Sequence, residues 1–289
     1  MKKYILILAG ISISLLTLVS CKKENNSNNT KAVFSYVADG FVVNFTDFSQ
    51  NAAEYTWDFG DQSTPSNKSN PTHIYSKKGD YLVSLMVSKD GQTSTFQDSV
   101  YVLGPNVKID GDFTDWEHVG YSYENAGTSG GTILAVKTFA SAGSLNFYLE
   151  GTEEFSLAVL DLYLDSDNNP ETGFKTWMYP AASGADFLLE GNYDQATPAA
   201  SAGSMFKHTG ADNGWGWTEV GTFGDVINFS AMKTVEGRNA VEFSIRREAL
   251  GSLKNQVNFA LVEMNSGWSE VGALPVSKEP TSAFAKIDL

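Results

Sequence analysis

The stretch that decides the fold lies at residues 81–88, which read Y-L-V-S-L-M-V-S. Tyr81, Val83, Leu85 and Val87 recur at every second position, which is the period of a β-strand with one buried face. The same alternation begins earlier, between residues 33 and 45, and turns rich in Gly, Asn, Asp and Pro separate the apolar runs. No amphipathic helical period occurs in this part of the sequence. Residues 32–103 are therefore predicted to form a small β-sandwich.

The chain after residue 103 continues as β-structure, but in a larger unit. Gly104-Pro105-Asn106 interrupts the pattern, and a second series of apolar runs follows. Its loops are rich in Gly, Ser, Ala and Asn, as at residues 181–185 and 196–204, and only residues 246–253 have a brief helical pattern. Residues 107–289 are predicted to form a second β-sandwich, which makes the chain all-β. The predicted strands are residues 133–139, 145–149, 159–164, 186–189, 241–245 and 257–262.

The first twenty residues have the layout of a secretory signal peptide. Lys2 and Lys3 precede an apolar run from residue 4 to residue 19, which is shorter than the roughly 20 residues of a transmembrane helix. The run ends in Leu18-Val19-Ser20-Cys21, which resembles the lipobox of bacterial lipoproteins. An uncleaved anchor helix with a chance cysteine is the alternative. We expect residues 1–20 to be removed, Cys21 to carry lipid, and residues 21–31 to form a flexible tether.

The charge of the chain restricts its partners. It has 20 Lys and Arg against 34 Asp and Glu, and loss of Lys2 and Lys3 leaves 18 minus 34, or −16. Such a surface repels nucleic acid and anionic lipid headgroups, so we expect no nucleic-acid partner and membrane contact only through the lipid. Neutral ligands and cations remain. Cys21 is the only cysteine, so its acylation leaves no thiol for a disulfide, a metal site or a nucleophile.

The motifs of the first sandwich resemble those of the polycystic-kidney-disease (PKD) domain. Residues 57–61 read W-D-F-G-D, residues 70–75 read N-P-T-H-I-Y, and residues 78–81 read K-G-D-Y. The resemblance implies an Ig-like sandwich that serves as a spacer or interaction module. We expect Trp57, Phe59, Tyr75 and Tyr81 to face the core and His73 to be structural.

The second sandwich is similar to family 9 carbohydrate-binding modules and to the related DOMON-type sandwiches. The opening at residues 107–116 reads V-K-I-D-G-D-F-T-D-W, and residues 162–174 read L-Y-L-D-S-D-N-N-P-E-T-G-F. Residues 184–189 (G-A-D-F-L-L) and 241–251 (V-E-F-S-I-R-R-E-A-L-G) match later elements, although Arg246 replaces the usual proline. The resemblance implies a sandwich that binds sugar, while DOMON relatives bind haem or only partner proteins.

Sugar recognition requires an aromatic ring that stacks on the apolar face of a pyranose, together with fixed polar groups for the hydroxyls. Trp215 and Trp217 alternate with glycines, so in a strand both indoles would lie on one face about 7 Å apart. Trp116 is expected in the core because it belongs to the opening motif, and about half of the other indoles are expected to be exposed. The candidate glycan-binding residues are Trp177, Tyr179, Trp215, Trp217 and Trp268.

A row of oxygen ligands follows the strand predicted at residues 159–164. Asp165, Asp167, Asn169 and Glu171 alternate in a turn and are candidates for a Ca²⁺ site. Pro170 stands where the EF-hand loop requires glycine, so that template is not met. The competing interpretation is a turn that its own carboxylates cap.

The sequence favours a binding protein over an enzyme. Residues 127–131 read G-T-S-G-G and formally match G-x-S-x-G, but they lie in a Gly/Ser loop without the strand and helix of a nucleophile elbow. We therefore expect no catalytic residue and no organic cofactor. A haem-binding DOMON-type domain is a less favoured alternative, for which the available axial ligands are His118, His208, Met178, Met205 and Met264.

These features together resemble the accessory surface glycan-binding proteins of Sus-type uptake loci. We expect a lipid-anchored protein of the cell envelope, at the outer membrane on its surface or periplasmic face. It would capture a neutral polysaccharide or oligosaccharide for uptake or degradation, with an outer-membrane transporter complex as a candidate partner. A protein-interaction or envelope-assembly role on the same fold is the leading alternative.

Overall fold

The computed structural model describes residues 29–127, 129–211 and 214–289. Cys21 and the predicted signal peptide lie outside the described residues. The regular secondary structure of the described chain is almost entirely β-strand, arranged in four sheets, which confirms the all-β prediction. No helix in these ranges is long and apolar enough to cross a bilayer.

The first sandwich packs two three-stranded antiparallel sheets against each other. One sheet has the order β1-β2-β4 and the other the order β3-β5-β6. Residues 81–87, whose alternation predicted the fold, lie in the long strand β5. The strands are β1 (Phe34–Asp39), β2 (Val42–Asp47), β3 (Glu54–Asp58), β4 (Thr72–Ile74), β5 (Gly79–Lys89) and β6 (Gln92–Val102).

The motif aromatics of the first sandwich form its core. Trp57, Phe59 and Tyr75 are buried, and the Tyr75 hydroxyl donates to the Phe59 carbonyl oxygen at 3.0 Å. The His73 ring stacks on Phe59 with 4.0 Å between ring centroids, and its Nε2 lies 2.7 Å from Asp61 Oδ2. The structure therefore confirms that His73 is structural.

The second sandwich packs a seven-stranded sheet against a six-stranded one. The seven-stranded sheet has the order β13-β12-β11-β10-β17-β18, with β19 also pairing with β17. The six-stranded sheet has the order β14-β16-β9-β8-β7, with β15 also pairing with β16. The strands are β7 (Tyr121–Glu124), β8 (Ile133–Ala140), β9 (Ser144–Gly151), β10 (Val159–Asp165), β11 (Phe187–Asn192), β12 (Ala202–His208), β13 (Trp217–Thr222), β14 (Ile227–Phe229), β15 (Lys233–Val235), β16 (Arg238–Arg246), β17 (Gln256–Met264), β18 (Glu270–Leu274) and β19 (Ala285–Asp288).

Helical structure in the described ranges is brief. The 3₁₀ turn Arg247–Leu250 lies inside the segment predicted as briefly helical. Each of the six predicted strands is present, so those predictions are confirmed. Residues 196–204 differ from the predicted loop, because β12 already begins at Ala202 and pairs with β11. The helical segments are the 3₁₀ turns Phe113–Trp116, Pro198–Ala200 and Arg247–Leu250 and the α-helix α1 (Phe223–Val226).

The core of the second sandwich lies between its two sheets. Phe147 of β9 stacks on Phe243 of β16 at 4.7 Å and meets Phe259 of β17, in the opposite sheet, edge-on at 5.4 Å. Strand β10 alternates, with leucines in this core and Asp161, Tyr163 and Asp165 on the other face of the seven-stranded sheet, here called the outer face.

Two covering loops, residues 166–186 and 275–284, pack over the outer face. They bind each other through Ala181 N–H to the Ser282 carbonyl at 3.0 Å and through the Tyr179 hydroxyl to the Pro275 carbonyl at 2.7 Å. Tyr179, Phe284 and Tyr163 form part of a second apolar cluster beneath these loops. The outer face is therefore partly covered, and its rims carry the candidate functional residues.

The two sandwiches meet at a joint around Gly104. Phe41 of the first sandwich contacts Phe139 of the second edge-on, with ring centroids 6.0 Å apart. Gly104 has φ +80°, and a Cβ atom there would come within 2.6 Å of the Phe139 ring. Lys78 Nζ also donates to the Ala140 carbonyl at 3.2 Å. Glycine is required at this position by both its backbone conformation and the close approach of the rings.

Candidate functional site

Three of the four candidate tryptophans are exposed. The exposed fractions are 71% for Trp177, 64% for Trp215 and 55% for Trp268, while Trp217 is half-buried. Trp116 is 1% exposed, as predicted from its place in the opening motif. Large exposed indoles are uncommon on a protein surface, so these three mark positions where a ligand can stack.

Tyr179 is wrongly predicted as a glycan-binding residue. Its side chain is fully buried, and its hydroxyl holds the second covering loop at Pro275. This segment is a turn, with Tyr179 N–H donating to the Thr176 carbonyl at 3.2 Å. Tyr179 anchors the loop from which Trp177 projects.

Trp177 contacts Lys278, which in turn pairs with Glu270. Lys278 Nζ lies 5.4 Å from the centre of the Trp177 ring, and the same ammonium group forms an ion pair with the Glu270 carboxylate. Lys278 N–H donates to the Met178 carbonyl at 2.7 Å, which fixes the two covering loops to each other. Ser277 Oγ donates to Glu270 Oε1 at 3.1 Å. An exposed aromatic ring is thus held beside fixed donors and acceptors.

Trp268 lies two residues from Glu270, in the loop between β17 and β18. Asn265 closes this loop, because its carbonyl accepts from Trp268 N–H at 2.9 Å and its side chain accepts from Gly267 N–H at 2.9 Å. Trp268 has φ +62° and Lys278 has φ +67°. Left-handed conformations are costly for such residues and concentrate at functional sites. Of these two residues, Lys278 pairs with the Glu270 carboxylate, and Trp268 lies two positions before Glu270 in the chain.

A cavity of about 210 Å³ lies beside these residues, lined by Glu270, Ser277, Lys278 and residues 129–131. Gly131 has φ +86°, and a Cβ atom there would come within 2.1 Å of the Val271 carbonyl oxygen. The Gly/Ser loop that formally matched G-x-S-x-G thus packs closely on β18. This approach explains the glycines at positions 130 and 131. We define Trp177, Trp268, Glu270, Ser277 and Lys278 as the tryptophan–lysine site.

Trp215 belongs to a separate aromatic cluster at the opposite rim. Its ring lies 5.8 Å from Trp217 and 5.4 Å from Phe174, and Trp217 in turn lies 4.9 Å from His208. Trp217 supports Trp215 instead of offering a free face of its own. Strands β13 and β18 are separated by five inter-strand spacings, or about 24 Å. Trp217 and Trp268 therefore lie at opposite edges of the sheet, and Trp177 lies on the first covering loop, where it lines a cavity together with Phe174.

The acidic loop has a different set of carboxylates from the predicted one. Asp165, Asp167 and Asp186 bring carboxylate oxygens within 4.8 Å of one another. Glu171 is not part of this group and pairs with Lys175 at 3.0 Å. Asp186 was missed because it lies at the start of the next strand.

Hydrogen bonds inside the loop already engage these carboxylates. Asp186 Oδ2 accepts from Ser166 N–H at 2.8 Å and from its hydroxyl at 2.7 Å, and Asp165 Oδ1 accepts from Asn169 N–H at 3.1 Å. Asn169 Oδ1 accepts from Glu171 N–H at 3.2 Å. This is the self-capped turn of the competing interpretation. The predicted Ca²⁺ site in this loop stays a prediction.

A buried carboxyl pair lies further along the outer face. Asp161 of β10 stands opposite Glu190 of β11 in register, and Asp161 is only 3% exposed. Burial, followed by the repulsion of the Glu190 carboxylate, raises the pKa of Asp161 to about 7. Burial also raises the pKa of Glu190. This pair makes the outer face sensitive to pH.

The first sandwich has known relatives. The family model of the PKD domain matches residues 29–103. The PKD1 domain of a metalloprotease from Vibrio cholerae is 33% identical, with 26% of this chain and 96% of that domain covered and a TM-score of 0.25.

The second sandwich is similar to solved carbohydrate-binding modules. A family 9 module from Caldicellulosiruptor kristjanssonii, in complex with glucose, is 15% identical over 64% of this chain and 91% of that one, with a TM-score of 0.35. The same module in complex with cellotriose is 14% identical over 64% of this chain and 89% of that one, also with a TM-score of 0.35.

Proposed function

We propose, from the premise that residues 29–103 belong to the PKD domain family, that this domain is a spacer and that the second sandwich is a non-catalytic glycan-binding module. The aromatic side chains of the PKD motifs are committed to their own core, which supports a spacer role. The exposed indoles of the described chain all lie in the second sandwich. Their position supports ligand recognition by the second sandwich.

The tryptophan–lysine site is the observation that carries this proposal. Trp177 offers a large apolar ring to solvent, and pyranose rings stack on such surfaces through their C–H faces. Glu270 and Ser277 supply oxygen acceptors and Lys278 supplies donors within the same site, which matches the alternating hydroxyls of a sugar. Hydrogen bonds between the loops hold these groups in place, so little ordering is needed on binding.

A neutral glycan suits this site best. The expected mature charge of −16 disfavours polyanions at a site that has no excess of cations. Within the site, Lys278 is already neutralised by Glu270, so no free cation awaits an anionic group. Hydroxyl groups of a neutral hexose or pentose polymer meet no such repulsion.

Binding to polysaccharide tests this proposal directly. The full-length protein is run through native gels that contain neutral β-glucan, xylan or mannan, with bovine serum albumin as the reference. Retardation by at least one polymer is expected. If the whole panel leaves the mobility unchanged, the protein-interaction alternative replaces glycan binding.

We further propose that lipid on Cys21 holds the protein at the cell envelope, with the folded part presenting glycan for uptake or degradation and a transporter complex as the receiving partner. The support is the sequence of the first 21 residues and the polar segment that follows them. Cys21→Ala is expected to leave a soluble or uncleaved, unacylated product, because the lipid on Cys21 is the proposed anchor. Processed Cys21→Ala protein that still fractionates with membranes would refute the anchor.

A further inference from the structure

A second cavity, distinct from the tryptophan–lysine site, lies where the two sandwiches meet. Its volume is about 480 Å³, within the range of about 300–1,000 Å³ for small-molecule sites. It is lined by Phe41 and residues 76–78 of the first sandwich and by residues 119–122, 138–140, 286 and 288–289 of the second. We call it the joint cavity. Ligand sites occur preferentially at such domain boundaries.

The charge of the joint cavity is opposite to that of the whole protein. Its ionisable side chains include Lys77, Lys78 and Lys286 against Asp288 alone among the acids. Over the whole sequence, acids outnumber bases by 34 to 20. Asp288 pairs with Lys77 at 3.0 Å, so this carboxylate is already engaged. Two lysines remain for an external anion.

Lys78 and Lys286 are the cations available to a ligand. Lys78 Nζ donates to the Ala140 carbonyl at 3.2 Å, which leaves its positive charge without a carboxylate counterion. No ion pair is found for Lys286 within the described ranges, and its side chain is exposed. Lys78 comes from the turn before β5 and Lys286 comes from β19, so the two cations belong to different sandwiches.

The joint cavity also has an aromatic wall and hydroxyl groups. Tyr121 is 41% exposed, and its hydroxyl donates to Glu150 Oε1 at 3.0 Å. Lys137 Nζ lies 5.0 Å from the centre of the Tyr121 ring, which further fixes the ring. Ser122 and Thr138 place their hydroxyl oxygens 2.5 Å apart in the same wall. A rigid phenol ring, hydroxyls and unpaired ammonium groups thus face one space.

We propose that the joint cavity binds a saccharide that carries a carboxylate, such as a uronic acid residue of an oligosaccharide. The sugar ring stacks on Tyr121, the carboxylate accepts hydrogen bonds from Lys78 and Lys286, and the ring hydroxyls meet Ser122 and Thr138. An acidic peptide satisfies the lysines but has no ring for Tyr121. The ligand contacts both sandwiches, so its binding stabilises the joint around Gly104.

Titration calorimetry on the full-length protein at low ionic strength tests this site. The probes are trigalacturonate, its fully methyl-esterified neutral form, and hexaglutamate. Trigalacturonate is expected to bind, with an affinity that falls as salt is added, because ion pairs at an open cavity are screened. No binding, or equal binding of the neutral ester or of hexaglutamate, would overturn the proposal.

Variants that remove lysine charges test whether trigalacturonate binds in the joint cavity. In the double variant Lys78→Gln with Lys286→Gln, affinity for trigalacturonate is expected to fall by roughly tenfold or more, because two charge-assisted hydrogen bonds are lost. The matched control is Lys89→Gln with Lys254→Gln, which removes the same charge at exposed positions outside the cavity. An equal loss in both double variants would attribute binding to overall charge and overturn the site.

Trp177→Ala separates this inference from the proposed glycan function. The variant leaves the joint cavity intact, so trigalacturonate affinity is expected to stay within about twofold of the wild-type value. A large loss of trigalacturonate binding in Trp177→Ala would place the uronate at the tryptophan–lysine site instead. Neutral polysaccharide binding by the lysine double variant is expected to be unchanged.

Discussion

Buried carboxylates of the second sandwich differ in the number of donors they receive. Glu263 is 1% exposed and accepts from Ser156 N–H at 3.2 Å and Leu157 N–H at 3.1 Å. Asp161 is equally buried, but its Oδ1 has no hydrogen-bond partner among the described residues. An ionised carboxylate in that position loses hydration without compensation. The protonated form of Asp161 is therefore favoured.

Asp161→Asn is expected to stabilise the protein at pH 8 and to have little effect near pH 4. Burial, with Glu190 second, raises the Asp161 pKa from 3.8 to about 7, so the folded state keeps a proton that the unfolded chain releases. The contribution of protonated Asp161 to the stability of the folded protein is fully present below about pH 4 and is lost as the pH rises through 7. The gain at pH 8 is expected to be about 1–4 kcal/mol.

Urea denaturation at both pH values measures this effect. Asp80→Asn is the matched control, because Asp80 is exposed on β5. A gain for Asp161→Asn that is the same at pH 4 and pH 8 would show that Asp161 is ionised in the folded protein.

The positions of some single side chains could be predicted from the sequence and those of others could not. The burial of Trp116 followed from a motif that defines the fold. Tyr179 was a candidate beside Trp177, and no local pattern in the sequence showed that its side chain is buried beneath the covering loops. Lys278 and Glu270 were missed because they are about 100 and 93 residues from Trp177 in sequence. Lys278 contacts the Trp177 ring and pairs with Glu270, and no local pattern encodes these contacts.

At the scale of elements, the opening segment is fastened to β16 by one side chain. Glu242 accepts from Trp116 Nε1 at 2.8 Å, from Asp110 N–H at 2.9 Å and from Gly111 N–H at 2.6 Å. Burial raises the pKa of Glu242, and the bonds from Trp116, Gly111 and Asp110 oppose that rise. The two motifs that indicated the fold, at residues 107–116 and 241–251, are thus parts of one contact.

Glu242→Gln is expected to destabilise the second sandwich by about 3–5 kcal/mol. The substitution replaces one carboxylate oxygen by an NH₂ group, so a buried N–H group that this oxygen accepted from is left without an acceptor. Trp116→Ala is expected to cost a similar amount through its cavity. Thermal unfolding monitored by tryptophan fluorescence measures both. Glu248→Gln, at an exposed position of the adjoining 3₁₀ turn, is the control and should melt like wild type. Equal melting temperatures for Glu242→Gln and Glu248→Gln would contradict the fastening role.

At the scale of the whole molecule, the joint between the sandwiches depends on Gly104. Gly104→Ala is expected to lower the melting temperature more than Gly91→Ala. Both glycines have φ +80°, so the backbone penalty is shared, but Gly91 has no atom within 4 Å of an added Cβ. The extra cost at Gly104 is expected to be about 1–3 kcal/mol, from displacement of Phe139 and Phe41. Equal effects of the two substitutions would mean that the rings do not pack in solution.

The order of the two sandwiches could be predicted from sequence, whereas their contact could not. Strand periodicity and the break at Gly104-Pro105-Asn106 are local features, so they were available in the sequence. The approach of Lys78 to Lys286 depends on how Phe41 meets Phe139 across the joint. The separation of Trp217 from Trp268 likewise depends on sheet order, which places β13 and β18 at opposite edges.

The central claim is that the tryptophan–lysine site binds neutral glycan. Native gels that contain the polysaccharide that retards the wild-type protein most strongly test this claim most directly. Trp177→Ala and Trp268→Ala are expected to lose about 2–4 kcal/mol of binding and migrate as in gels without polymer. Trp215→Ala, an exposed indole at the opposite rim, is the matched control and should still be retarded. All three should melt near the wild-type temperature. Full retardation of both Trp177→Ala and Trp268→Ala would contradict the account.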